Sequence, residues 1–259
     1  MVGKYNIERL TRKPVEVALA SEFRYMSPIV DENTLVVAIS QSGETLDTMA
    51  ALREAKRLGA KVLSIVNVVG SSIARESDEV LYTWAGPEIA VATTKAYSTQ
   101  MVVLDLVGLY FSQILGTLPR ADYLAVLEEL RRLPEKMERV LGEKDQVQYL
   151  ASQYFNHDSI FFIGRNLDYA LGMEGSLKLK EISYIHSEAY ASGELKHGTI
   201  SLIEDGTLVV ALGTYGKLFD KAISNVVEVK ARGADVLALA TESHRAARRR
   251  FGRGSVLGS

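Results

Sequence analysis

The sequence predicts an α/β protein of two tandem three-layer α-β-α units with parallel sheets, each unit incomplete. Two observations carry this. Short apolar runs break at polar turns into segments with helical spacing, the mark of a strand entering a helix. The run Thr34-Leu35-Val36-Val37-Ala38 then recurs as Thr207-Leu208-Val209-Val210-Ala211, so one unit is written twice.

In the first copy, residues 35–39 read as a strand covered on both faces. The polar stretch Ser40-Gln41-Ser42-Gly43-Glu44 follows. Leu46, Met49, Leu52, Ala55 and Leu58 then recur at helical spacing, and Gly59 ends the helix. In the second copy Gly43 and Asp47 fall on Gly216 and Asp220. With one inserted residue, Gly59-Ala60-Lys61-Val62-Leu63 falls on Gly233-Ala234-Asp235-Val236-Leu237. Upstream, Ala20-Ser21-Glu22 resembles Ala191-Ser192 and Glu194.

The repeat exposes two gaps. The second copy begins with the strand 159–164, whose counterpart in the first copy would lie before Met1. The first copy continues through Leu81-Tyr82 into an apolar segment, 89–116, expected as one or two buried helices. Nothing after Ala240 matches it. The expected organisation is a first unit over 1–118 lacking its first strand and a helical linker over 119–150. A C-terminally shortened second unit over 151–244 follows, then a disordered basic tail over 245–259.

Composition narrows the function. The 259 residues are 47% apolar, enough for real cores, and the net charge of −2 gives no global field favouring nucleic acid or an acidic membrane. The absence of cysteine excludes disulfides, thiolate catalysis and Cys-based zinc sites. No apolar leader is visible, and Lys95 and Asp105 argue against a membrane span over 89–116. A cytoplasmic protein is expected, with no metal and no cofactor, no nucleic-acid partner and no membrane partner.

The turn 40–45 is the first candidate site. Ligands of open α/β sheets bind where strands end and helices begin, and helix N-termini offer free N–H groups and partial positive charge. Ser40, Ser42 and Thr45 add three hydroxyls there, with no Lys or Arg, which suits a phosphate monoester held by neutral donors. An ordinary N-cap with spare hydroxyls is the competing reading. In the second copy these three become Gly213, Tyr215 and Leu218. A cap needed only for stability would recur in both copies, so the asymmetry favours the binding site.

Residues 172–198 hold the second constellation. Glu174, Lys178 and Glu181 share one helix face, as an ion-pair stripe would. Leu177, Leu179, Ile182 and Ile185 suggest instead partly apolar surroundings, which suit a carboxylate base. Downstream, Lys196 and His197 sit in a glycine-flanked loop. A phosphate cradle, a carboxylate, a lysine and a histidine suit sugar-phosphate isomerisation: a base moves a proton between C1 and C2, and a histidine opens the ring.

Three stretches carry a resemblance: SQSGET at 40–45, AGPEIAVATTKAYSTQ at 85–100, and EGSLKLKEISYIHSEAYASGELKHG at 174–198. Over about residues 2–240 the chain resembles the isomerase part of the glutamine–fructose-6-phosphate aminotransferases (glucosamine-6-phosphate synthases), which consists of two tandem SIS, or sugar isomerase, domains. The resemblance implies conversion of fructose 6-phosphate and ammonia to glucosamine 6-phosphate. It implies that Ser40, Gln41, Ser42 and Thr45 hold the phosphate and that Thr93 lines the sugar site. It makes Glu181 the C1/C2 base and Lys178 a lysine near the sugar. His197 becomes the ring-opening histidine, reaching the site from a neighbouring subunit of a homodimer, with Lys196 beside it. The family's glutaminase domain, its first strand with a Cys-Gly-Thr-Ser-type turn, and its C-terminal tail with a Schiff-base lysine have no counterpart here. Glutamine hydrolysis is therefore expected from a separate glutaminase domain. A non-catalytic sugar-phosphate-binding SIS protein and an inactive fragment stay open as alternatives.

Overall fold

The computed structural model describes residues 1–241 and the strand 256–257. The chain forms two compact units and passes from one to the other at Leu124 and Ala125.

The first unit contains α1 (Val2–Thr11), α2 (Ala20–Phe23), β1 (Leu35–Ser40), α3 (Leu46–Arg57), β2 (Lys61–Val66), α4 (Ser72–Glu76), β3 (Glu79–Tyr82) and α5 (Lys95–Leu115). The helix α6 (Arg120–Arg131) spans the boundary. The second unit continues with α7 (Leu133–Gly142), α8 (Lys144–Tyr154), β4 (Ser159–Gly164), α9 (Leu167–Ser183), β5 (His186–Ala191), β6 (Leu208–Gly213), α10 (Phe219–Lys230), β7 (Asp235–Ala240) and β8 (Val256–Leu257). Both sheets are wholly parallel, in the orders β1-β2-β3 and β5-β4-β6-β7-β8.

The repeat holds at the level of single hydrogen bonds. Lys61 N–H donates to the Thr34 carbonyl (3.1 Å), and Asp235 N–H donates to the Thr207 carbonyl (2.9 Å). Gly59 and Gly233 end the two helices at φ +95° and +93°, a region where a side chain is strained. The unit β1-α3-β2 is thus built again as β6-α10-β7. β8 lies beside β7 as β3 lies beside β2. Val256 and Leu257 fall in the span expected to be a disordered tail; the rest of that expectation lies outside the described residues.

Two expectations about burial fail. β1 is not covered on both faces within its unit. Leu52 and Ala55 of α3 pack with Val36 and Ala38. On the opposite face, Leu35 and Ile39 remain 43% and 39% exposed. In the second unit α9 lies against β4, β5 and β6 and α10 against β6 and β7, so β6 is far better covered. The helix α5 is also not a buried one within its unit. Gly3 admits Leu104 of α5, and Gly108 admits Leu10 and Ile7 of α1. Asn6 donates to Asp105 at 2.8 Å. Leu106, Tyr110, Ile114 and Leu115 stay exposed. By length and composition α5 is the one helix among the described residues that could cross a membrane.

Candidate functional site

The turn after β1 is tied together by its own hydroxyls. Ser40 Oγ is buried, accepts from Gly43 N–H at 3.1 Å and lies 2.9 Å from Thr45 Oγ1. Ser42 Oγ accepts from Glu44 N–H at 3.2 Å. Gly43 has φ +69°, and a Cβ there would lie 2.0 Å from Ser71 Oγ, so the turn needs glycine. Thr45 occupies the N-cap position of α3 but makes no capping hydrogen bond. Ser40 and Ser42 each satisfy a backbone N–H of the turn, but capping of α3 does not account for Thr45, and the partial positive charge at the start of α3 is left without a side-chain acceptor from its cap residue. Gln41 Oε1 and Ser71 Oγ are buried beside this turn with no hydrogen-bond partner among the described residues.

Asn67 ties this turn to the segment before α5. Its N–H donates to the Gln41 carbonyl at 3.2 Å. Its Nδ2 donates to the Gly86 carbonyl at 2.7 Å, and its Oδ1 accepts from Thr83 Oγ1 and Ala85 N–H at 3.0 and 2.9 Å. Thr93 stands at the end of that segment with φ +54°, its hydroxyl directed at the Val91 carbonyl at 3.4 Å. The Glu88 carboxylate accepts from Thr94 and Ala96 N–H and so caps α5. The Ala96 N–H, above all, holds Glu88 below the ordinary carboxylate pKa. Asn67 and Ser71 were not singled out from sequence. The one available signal for Asn67 is an amide closing an otherwise apolar strand.

In the second unit α9 brings together Glu174, Lys178 and Glu181. Lys178 Nζ lies 3.3 Å from Glu174 and 2.8 Å from Glu181. Burial pulls the Lys178 pKa down, but the two carboxylates outweigh it and hold the ammonium above its ordinary value. Of the four residues expected to give Glu181 apolar surroundings, Leu177 and Ile182 are exposed within the unit, while Leu179 and Ile185 pack on the core around Ile160, Leu208 and Val210. The carboxylate's neighbour is an ammonium, not a hydrocarbon wall.

Lys196 and His197 do not sit in a loop. They close a 3₁₀ turn, Ser192–His197, anchored by the fully buried Leu195 and followed by Gly198 at φ +138°. His197 is exposed, with Nε2 3.8 Å from Glu194. Lys196 turns to Glu228 at 2.9 Å. For Glu228, burial raises the pKa while Lys196 and Asn225 lower it, and the lowering wins.

Asp168, in the first turn of α9, also escaped the sequence reading. It is 2% exposed and accepts from the N–H groups of Thr214 and Tyr215, both at 3.1 Å, and from Thr214 Oγ1 at 2.5 Å.

The chain as a whole is similar to known proteins. The SIS domain matches residues 1–110 and 153–251. Glutamine–fructose-6-phosphate aminotransferase (isomerizing) of Clostridium acetobutylicum is 57% identical over 245 residues, covering 95% of this chain and 40% of that protein. The same enzyme of Caldanaerobacter subterraneus subsp. tengcongensis is 58% identical over 244 residues, covering 94% and 40%. The chain thus spans about 40% of the length of these curated relatives. Among solved structures, the C-terminal domain of glucosamine-fructose-6-phosphate aminotransferase from Francisella tularensis matches with TM-score 0.96 and 39% identity, over 100% of this chain and 73% of that one.

Proposed function

The chain belongs to the SIS domain family, and we propose that it is the isomerase part of a glutamine–fructose-6-phosphate aminotransferase, binding fructose 6-phosphate for conversion to glucosamine 6-phosphate. The observation that carries this is the turn 40–45, where Thr45 is diverted to Ser40 and α3 begins without a cap.

In this reading the phosphate ester takes the place of the missing cap. Backbone N–H groups and the hydroxyls of Ser42 and Thr45 donate to it, Ser40 orients Thr45, and Gln41 donates through its amide Nε2. Thr93 contacts the sugar. His197, from the second subunit of a homodimer, opens the ring. Ammonia condenses with the C2 carbonyl of the open-chain ketose, releasing water and leaving an imine. Glu181 takes a proton from C1, the electron pair left behind forms a C1–C2 double bond as the imine nitrogen gains a proton, and the proton returns at C2 as the C1 hydroxyl loses its own to become the aldehyde. Lys178 orients Glu181 through their 2.8 Å contact and stays charged to favour the developing oxyanion. Lys196, bound to Glu228, supports the turn carrying His197 rather than touching sugar. Ammonia comes from a glutaminase domain, and the reaction belongs in the cytoplasm.

The test is Glu181→Gln. Turnover of fructose 6-phosphate, assayed with ammonia, should be lost while ligand binding persists. Turnover surviving in the variant overturns the assignment of the base.

A further inference from the structure

The two copies treat the same turn differently. In the second copy the strand β6 ends at Gly213, and the N–H groups of Thr214 and Tyr215 converge on the Asp168 carboxylate with the Thr214 hydroxyl. By the repeat, Thr214 and Tyr215 correspond to Gln41 and Ser42. Among the described residues no carboxylate accepts from the N–H groups of Gln41 or Ser42. The chain builds a tight entry to deliver Asp168: a Cβ on Gly164 would lie 2.5 Å from the Asp168 carbonyl carbon, so only glycine lets α9 start there. Asp168 is 2% exposed and held 46 and 47 residues away in sequence from its donors. A buried carboxylate is tolerated only where its charge is met by donors, and here two N–H groups and a hydroxyl meet it.

We propose that Asp168 is a resident anion in a second cradle of the same design, and that it limits each chain to one phosphate-ester site. The turn 213–218 keeps the backbone donors of an anion site but has exchanged the hydroxyl cluster of the first copy for an internal carboxylate. The asymmetry takes its functional meaning from the phosphate assignment of the turn 40–45, but the two stand on separate experiments.

The experiment is anion rescue in the full chain, read as thermal midpoint against concentration of inorganic phosphate or formate, with chloride at matched ionic strength as control. A Ser42→Ala background silences the first turn. Adding Asp168→Ala should lower the midpoint, and both phosphate and formate should restore it, rising with the logarithm of their concentration. Asp168→Asn, whose amide still fills the turn, should show no such rise. An Asp168→Ala chain that responds to phosphate and formate no more than its Ser42→Ala parent overturns the proposal. So does one that fails to fold even with either anion, because a cradle vacated by one anion must accept another. Comparing Ser42→Ala with the unaltered chain in phosphate reports separately on the first turn.

Discussion

The hydroxyl of Thr45 lies 2.9 Å from that of Ser40, so the residue placed to cap α3 is pulled back against its own strand end. A cap residue bonded elsewhere leaves donors facing outward. On the proposed phosphate site, this pair is what leaves the start of α3 open to an anion, and Gly43 is what allows the turn to close.

Gly43→Ala tests that closure. The new methyl would meet Ser71 Oγ at 2.0 Å on a backbone of φ +69°, so strain and clash act together. The expected cost is about 1–3 kcal/mol of stability, with loss of fructose 6-phosphate binding, read by denaturant melts and calorimetry. A variant as stable and as tight-binding as its parent would show that the turn relaxes freely.

Asn67→Ala tests the tie between the turn and the segment before α5. Three side-chain hydrogen bonds are lost, two of which leave Ala85 N–H and Gly86 C=O to find other partners. The expected loss is about 1–3 kcal/mol, with faster amide exchange at Ala85. Unchanged exchange there would show that the segment holds itself.

Tyr190 gives a pH signature. Burial first, then the hydrogen bond it donates to Glu188, raises its pKa from 10.0 to about 12. The folded state therefore favours the neutral phenol. Its contribution to stability is fully present below pH 10 and is lost as pH rises from there through about 12. Tyr190→Phe should flatten stability over that window relative to the parent, and ultraviolet titration should find one tyrosine ionising late. A parent and variant with parallel alkaline profiles would contradict this.

What the sequence made legible was local. The strand expected at 35–39 and found at Leu35–Ser40, the helix after it, the glycine that ends it and the repeat of all three follow from periodicity and from one residue type. The strand 159–164 was found to the residue. The hydroxyl turn and the Glu174-Lys178-Glu181 stripe were legible because their members are neighbours in sequence. What escaped depended on distant partners. Asn67 acts through Gly86, Asp168 through Thr214, and Lys196 turns to Glu228, each pairing set by how the sheet brings remote segments together. The exposure of Leu35 and Ile39 likewise follows from which helices cover β1, and an apolar strand run carries no record of that.

The most direct test of the phosphate cradle is thermal unfolding of the full chain with and without fructose 6-phosphate, alongside Ser42→Ala. Ser42 Oγ accepts only from an exposed N–H, so its loss should leave the unliganded midpoint nearly unchanged. Losing its donation to a charged phosphate should weaken binding roughly tenfold to a hundredfold. The account predicts a cooperative melt whose midpoint rises with fructose 6-phosphate in the parent and rises far less in Ser42→Ala. A cooperative melt that ignores fructose 6-phosphate, or one that rises equally in both proteins, would contradict it.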